Sequence, residues 1–220
     1  MSAPTEPPAL NVWVWAGALL VASAVLPLAL GVGVDAPVLR STVGILGQFS
    51  FAASMALFAW GWRGRGSVVA GRRTGVVALA VLAVFPLAMW LASGLADLAF
   101  GPQTTADDGR SWWGTVYQVV WIGAAALAAA EIWRAGVVPR PWNRVPAWGL
   151  LVVVGVGAIT QVVSVSLVTG GAGDQLTLIT LWQLSSLAMF VVPVALGVSA
   201  IVLGLRRTPP PTVQVFPPAA

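Results

Sequence analysis

The chain has 220 residues, of which 58% are hydrophobic and only 8% charged, and its formal charge is +4. A soluble domain carries about 25% charged residues, so this balance excludes an ordinary water-soluble fold and places the chain in lipid. There is no Cys, no His and no Lys, which removes disulfides, thiolate or imidazole catalysis, thiol- or histidine-ligated metals, haem and Schiff-base chemistry, and no cofactor is expected.

In lipid every backbone N–H and C=O must be satisfied internally, so only helices or closed barrels span. The apolar runs are about 20 residues long, which suits helices; barrel strands need only about 9–11. The expected fold is therefore all-α, a polytopic integral membrane protein built as a six-transmembrane-helix bundle. Residues 1–10 are polar and Pro-rich and are read as a disordered N-terminal tail. No positive region precedes the first apolar run, so that run is read as a retained span rather than a signal peptide. The six spans are expected at about 12–33, 42–62, 75–99, 112–133, 147–169 and 178–204, forming one membrane domain over 11–207. Residues 208–220 carry five prolines and are read as a Pro-rich disordered C-terminal tail.

The charges orient these spans. Arg63, Arg65, Arg72, Arg73, Arg134, Arg140, Arg144, Arg206 and Arg207 fall on one side of a six-span chain, and only Arg40 and Arg110 on the other. Arginine concentrates on the cytoplasmic side, which puts both termini in the cytoplasm. All cations being arginine, with abundant Ala, Gly and Val, suggests a GC-rich bacterial genome and hence the bacterial inner membrane. No basic stripe is long enough to track a phosphate backbone, so nucleic acid is not an expected partner; the lipid bilayer is. Of the tryptophans, Trp13, Trp15, Trp60, Trp62, Trp133, Trp142 and Trp148 lie near expected cytoplasmic span ends, and Trp112 and Trp113 at the outer edge. All nine read as an interfacial aromatic belt.

Four glutamines lie inside spans. Counting from the outer ends at ~1.5 Å per residue, Gln48, Gln118, Gln161 and Gln183 all fall roughly 8–12 Å below the outer boundary. Gln161 with Ser164, and Gln183 with Ser186, are i,i+3 pairs that share a helix face. Tyr117 and Trp121 flank Gln118, Trp90 and Trp182 lie at similar depth, and Asp97 sits near the outer mouth of the third span. Two readings stay open. Gln and Ser are common interhelical glue, each bond contributing about 0.6–2 kcal/mol. Alternatively, the amides and aromatic rings line an outward pocket for a small polar ligand.

Other signals are weaker. The segments Val25–Leu30 and Val84–Met89 share a proline-centred pattern, and the spans that follow them carry Gln48 and Gln118 near their starts. This resembles a copied helical hairpin, although chance similarity in so apolar a chain explains it as well. Pro27, Pro86 and Pro193 fall in mid-span and read as static kinks. The alanines of span four offer small faces for close packing. Gly171-Ala172-Gly173-Asp174 has the GxGD spacing of intramembrane aspartyl proteases, but no second Asp faces it inside the membrane; it reads as a loop. Glu131 near the inner end of span four reads as an interfacial ion pair with Arg134.

The functional expectation is binding or transport of a small polar ligand through the Gln/Ser/Trp layer. The alternative is a non-catalytic structural or regulatory subunit that assembles with another membrane protein or with itself. A third reading is a membrane enzyme acting on lipid at the outer face through Asp97, Asp107 and Asp108. Against that reading, Ser and Thr lack a conventional activating base and no catalytic motif is present.

Overall fold

A computed structural model describes residues 12–31, 37–61, 66–100, 111–169 and 175–206. Six long helices account for most of them: α1 (Val12–Gly31), α2 (Pro37–Trp60), α3 (Arg73–Phe100), α4 (Ser111–Ala135), α5 (Val145–Thr169) and α6 (Gln175–Arg206). No strand occurs among the described residues. Each helix is long and apolar enough to cross a membrane, so the chain is a multi-pass membrane protein. The two terminal tails, Asp107, Asp108 and Asp174 lie outside the described residues. The largest boundary difference is at α2, which starts at Pro37 rather than near Thr42. Proline suits the first helical position because its missing N–H would have no partner there.

The helices alternate in direction and form a ring. Each packs on its neighbours in sequence, and α6 returns to α1; the α4–α5 seam is the thinnest contact in the circle. A 3₁₀ turn, Trp142–Arg144, touches both α4 and α5 and bridges the base of that seam.

Small residues set the closest approaches. On α1, a Cβ at Gly17 would strike the carbonyl oxygen of Gly197 on α6; a Cβ at Gly197 would come 2.6 Å from the Gly17 carbonyl. Two facing glycines thus let these backbones touch. Gly47 of α2 lies against Pro27 and the Ser23 carbonyl of α1, and Gly149 of α5 against Val192 of α6. The fully buried Ser54 of α2 donates its hydroxyl to the Ala16 carbonyl of α1 at 2.7 Å. Ser54→Ala is expected to lower stability by about 0.5–1.5 kcal/mol, measured as a lower thermal midpoint in detergent.

Burial is concentrated at the arginine-bearing end. Trp13, Ala16, Leu20, Met55, Ala59, Leu79, Leu82, Ala128 and Ala129 are buried there. Residues 66–72, between α2 and α3, fold inward at this end. Val68 and Val69 are buried in it, Val69 completely, and the Val68 N–H donates to the Phe58 carbonyl. Trp13 Nε1–H donates to the Gly66 carbonyl at 2.6 Å, tying α1 to the same loop. The positive φ of Gly66 and Gly71 turns the chain in and out of this plug. Trp13, at 3% exposure, is therefore a core residue and not part of the belt expected for it. Trp15, Trp60, Trp133 and Trp148 are exposed, as a belt requires. Toward the opposite end the helices splay, and most side chains over 90–95, 114–119 and 158–166 are exposed or only partly buried.

Glu131, near the end of α4, is buried beneath the plug and paired with Arg72 at 3.4 Å and with Arg134 at 3.5 Å. The Arg134 contact is the pair read from the sequence; Arg72, 59 positions away, is added by the fold.

Candidate functional site

The ring surrounds a partly open cavity of about 200 Å³ in its arginine-bearing half, lined from all six helices by residues that include Leu20, Met55, Leu82, Trp121, Val153 and Leu196. Apart from tryptophan N–H groups, Ser199 is the one polar side chain described in its wall, and its hydroxyl is used by the Ala195 carbonyl. Water needs two to four polar partners, and apolar cavities of about 150 Å³ stay dry. This space therefore favours hydrocarbon over water. It was not anticipated from the sequence. A signal was present in Phe51, Met55 and Phe58, whose i,i+4,i+7 spacing puts three large side chains on one face of α2.

The expected polar layer divides around this cavity. In a helix successive residues turn by about 100°. Gln48 lies one turn from Phe51 and two from Met55, on the cavity-facing side of α2. Gln118 bears the same relation to Trp121 and Ala125 on α4. Both amides are thus above the cavity, toward the splayed end, and both are exposed. Trp121 itself is in the cavity wall. Trp90 is three turns beyond Leu79 on the cavity side of α3 and is about half exposed. Tyr117 is partly buried and stacks on Phe85 of α3, with ring centroids 5.6 Å apart and planes 15° apart. Asp97 is within α3, but its side chain lies outside the described residues.

The α6 members face elsewhere. Gln183 is six residues before the cavity-lining Met189, about 120° round the helix. With Trp182 and Ser186 it lines a separate open cleft of about 640 Å³, which also includes Leu28 of α1. Gln161 is exposed to one side of the inward face of α5. None of the four amides hydrogen-bonds another described residue.

Two α5 hydroxyls behave unlike the rest. Ser166, Thr169, Thr180, Ser186 and Ser199 each donate to the carbonyl four residues earlier. The hydroxyl oxygens of Thr160 and Ser164 are buried and have no partner. These residues lie seven and eleven positions beyond Val153, on the inward face of α5. Ser164 was expected in the layer; Thr160, a single hydroxyl in an apolar run, was not. Among the described residues no three metal-ligating side chains gather.

No known family, curated protein or solved structure matches the chain, so the chemistry rests on this geometry.

Proposed function

We propose that this protein binds, and carries into or across the membrane, a small ligand whose polar group is held by the amide-bearing half of the ring. In this reading the arginine-bearing end faces the cytoplasm of a bacterial cell and the splayed end faces outward. The observation that carries it is the pair Gln48 and Gln118, exposed and unpaired on the cavity side of two helices. An amide left in hydrocarbon without a partner costs several kcal/mol. Amides at this depth therefore imply water or a ligand beside them.

The chain has no cysteine, which permits a direct test. Gln48→Cys and Gln118→Cys are expected to react with a membrane-impermeant maleimide added outside intact cells, while Leu127→Cys, on the exposed side of α4, does not. Unreactive cysteines at both glutamine positions would remove the proposal.

A second reading is favoured by one observation. Trp182, Gln183 and Ser186 face away from the central cavity, beside exposed Leu28. A helix from another membrane protein, or from a second copy, would satisfy that amide. Gln183→Leu is then expected to weaken the assembly, seen as a shift to smaller species on size-exclusion chromatography in mild detergent.

A further inference from the structure

We infer that the ligand is an uncharged single-chain amphiphile. Part of its hydrocarbon chain lies in the central cavity, its hydroxyl-bearing head meets Gln48, Gln118, Thr160 and Ser164, and it enters sideways between α4 and α5. The inference rests on the binding function proposed above and names the class of ligand.

Four observations support it. The first is the cavity wall, which is apolar on all six helices and offers water almost no partners. The second is length. From Trp121 to Ile132 the cavity follows α4 for eleven residues, a rise of about 16 Å. That is about half of a ~30 Å hydrocarbon core, the depth of one leaflet's chains. The third is polarity in the right order. Directly beyond the apolar space come two free amides and two buried hydroxyls without partners. Helical Ser and Thr ordinarily satisfy themselves on the preceding turn, as five others do here. Thr160 and Ser164 do not; their oxygens are covered from solvent, so each side chain would have to turn to meet the head. The fourth is access. The α4–α5 seam is the thinnest contact in the ring, with Trp142–Arg144 bridging it at its base, so a lipid chain can part these helices without breaking the glycine contact of α1 with α6.

The head is inferred to be uncharged because, among the described side chains, none at that level is ionised. The arginines whose side chains are described, Arg72, Arg73, Arg134, Arg140, Arg144 and Arg206, belong to the opposite end. A buried anion without a partner is strongly disfavoured.

The test uses the full chain in lipid nanodiscs and a monoacylglycerol with a diazirine at the end of its chain. After irradiation, adducts mapped by mass spectrometry are expected on the Phe51–Phe58 and Trp121–Ile132 segments and should be competed by unlabelled monooleoylglycerol. Ala128→Phe, which fills the cavity, is expected to reduce these adducts about ten-fold; Ala128→Leu should act in the same direction if the larger ring prevents folding. Adducts confined to lipid-facing residues such as Leu127 and Val162 would overturn the inference. So would undiminished cavity labelling in a folded Ala128→Phe protein. A probe with the same chain on a phosphate head is expected to label about ten-fold less; equal labelling overturns the uncharged head. The outcomes separate the two proposals. Absent cavity adducts together with reactive Gln48→Cys and Gln118→Cys overturn the chain site and leave the polar vestibule intact. Cavity adducts unchanged by Gln48→Leu with Gln118→Leu overturn the assigned head contacts.

Discussion

Gly17→Leu is expected to destroy the folded ring. The side chain would be driven into the backbone of α6 at Gly197, and a backbone carbonyl cannot rotate aside as a flexible side chain does. The Ile201 side chain closes the remaining space at 2.9 Å. The helices must then separate, which also exposes the Ser54–Ala16 hydrogen bond one layer away. We expect a cost of about 3 kcal/mol or more, enough to consume much of a typical domain's stability of about 5–15 kcal/mol. Gly197→Leu should behave alike, and Gly17→Ala should lie between. Gly123, on an exposed face of α4, has nothing within 4 Å of an added Cβ. Gly123→Ala is therefore the control and should be neutral or slightly stabilising through helix propensity. Thermal unfolding followed by size-exclusion chromatography in detergent reads all four. A stable, monodisperse Gly17→Leu protein would mean that α1 and α6 do not meet through these glycines.

The second large effect concerns Glu131, where the two sides of one ion pair should respond unequally. Its carboxylate is buried, whereas the Arg72 and Arg134 side chains are 48% and 71% exposed. Removing the carboxylate as Glu131→Gln lets both guanidinium groups return to water, and the cost should be small. Removing Arg72 leaves a buried carboxylate with only an exposed arginine at 3.5 Å. Breaking a fully buried pair in this way costs about 3–5 kcal/mol. With Arg72 half exposed, solvent screening reduces that to about 1–3 kcal/mol. Arg72→Ala should therefore lower the thermal midpoint more than Glu131→Gln does. The double variant should recover part of the loss, because no charge is then stranded. Equal effects of the two single variants would show that the carboxylate is well solvated.

The six helices were legible because apolar length and arginine placement are one-dimensional signals. Lipid demands about 20 apolar residues per crossing, and that demand is written directly into the chain. Boundaries blurred where the helix continues past the apolar run, as at Pro37–Ser41, which includes Arg40. The position of each of the four glutamines along its helix was also readable, since rise per residue is fixed. Their direction was not. A helix that is apolar all round has no polar face to mark its outward side, so Gln183 could be given a level but not a bearing. That bearing is set by the packing of α6 on α1, which depends on a carbonyl contact between two glycines. Trp13 misled for a related reason. A tryptophan near a span end ordinarily belongs to the headgroup region, and only the inward fold of a loop some 50 residues later supplies the carbonyl that buries it. The central cavity is a property of six faces together, and no single span contains it.

The inward loop carrying Val68 and Val69 gives the ring a floor. In the proposed reading, a ligand that arrives from the amide-bearing rim or between α4 and α5 meets this floor, and passes beyond it only if the floor lifts. Lifting it requires Val69 to leave its seat beside Gly75 and Glu131, so the Arg72–Glu131 contact would have to give way in the same motion. Among the described residues, a single glutamate thus pins this floor to the wall of the vessel.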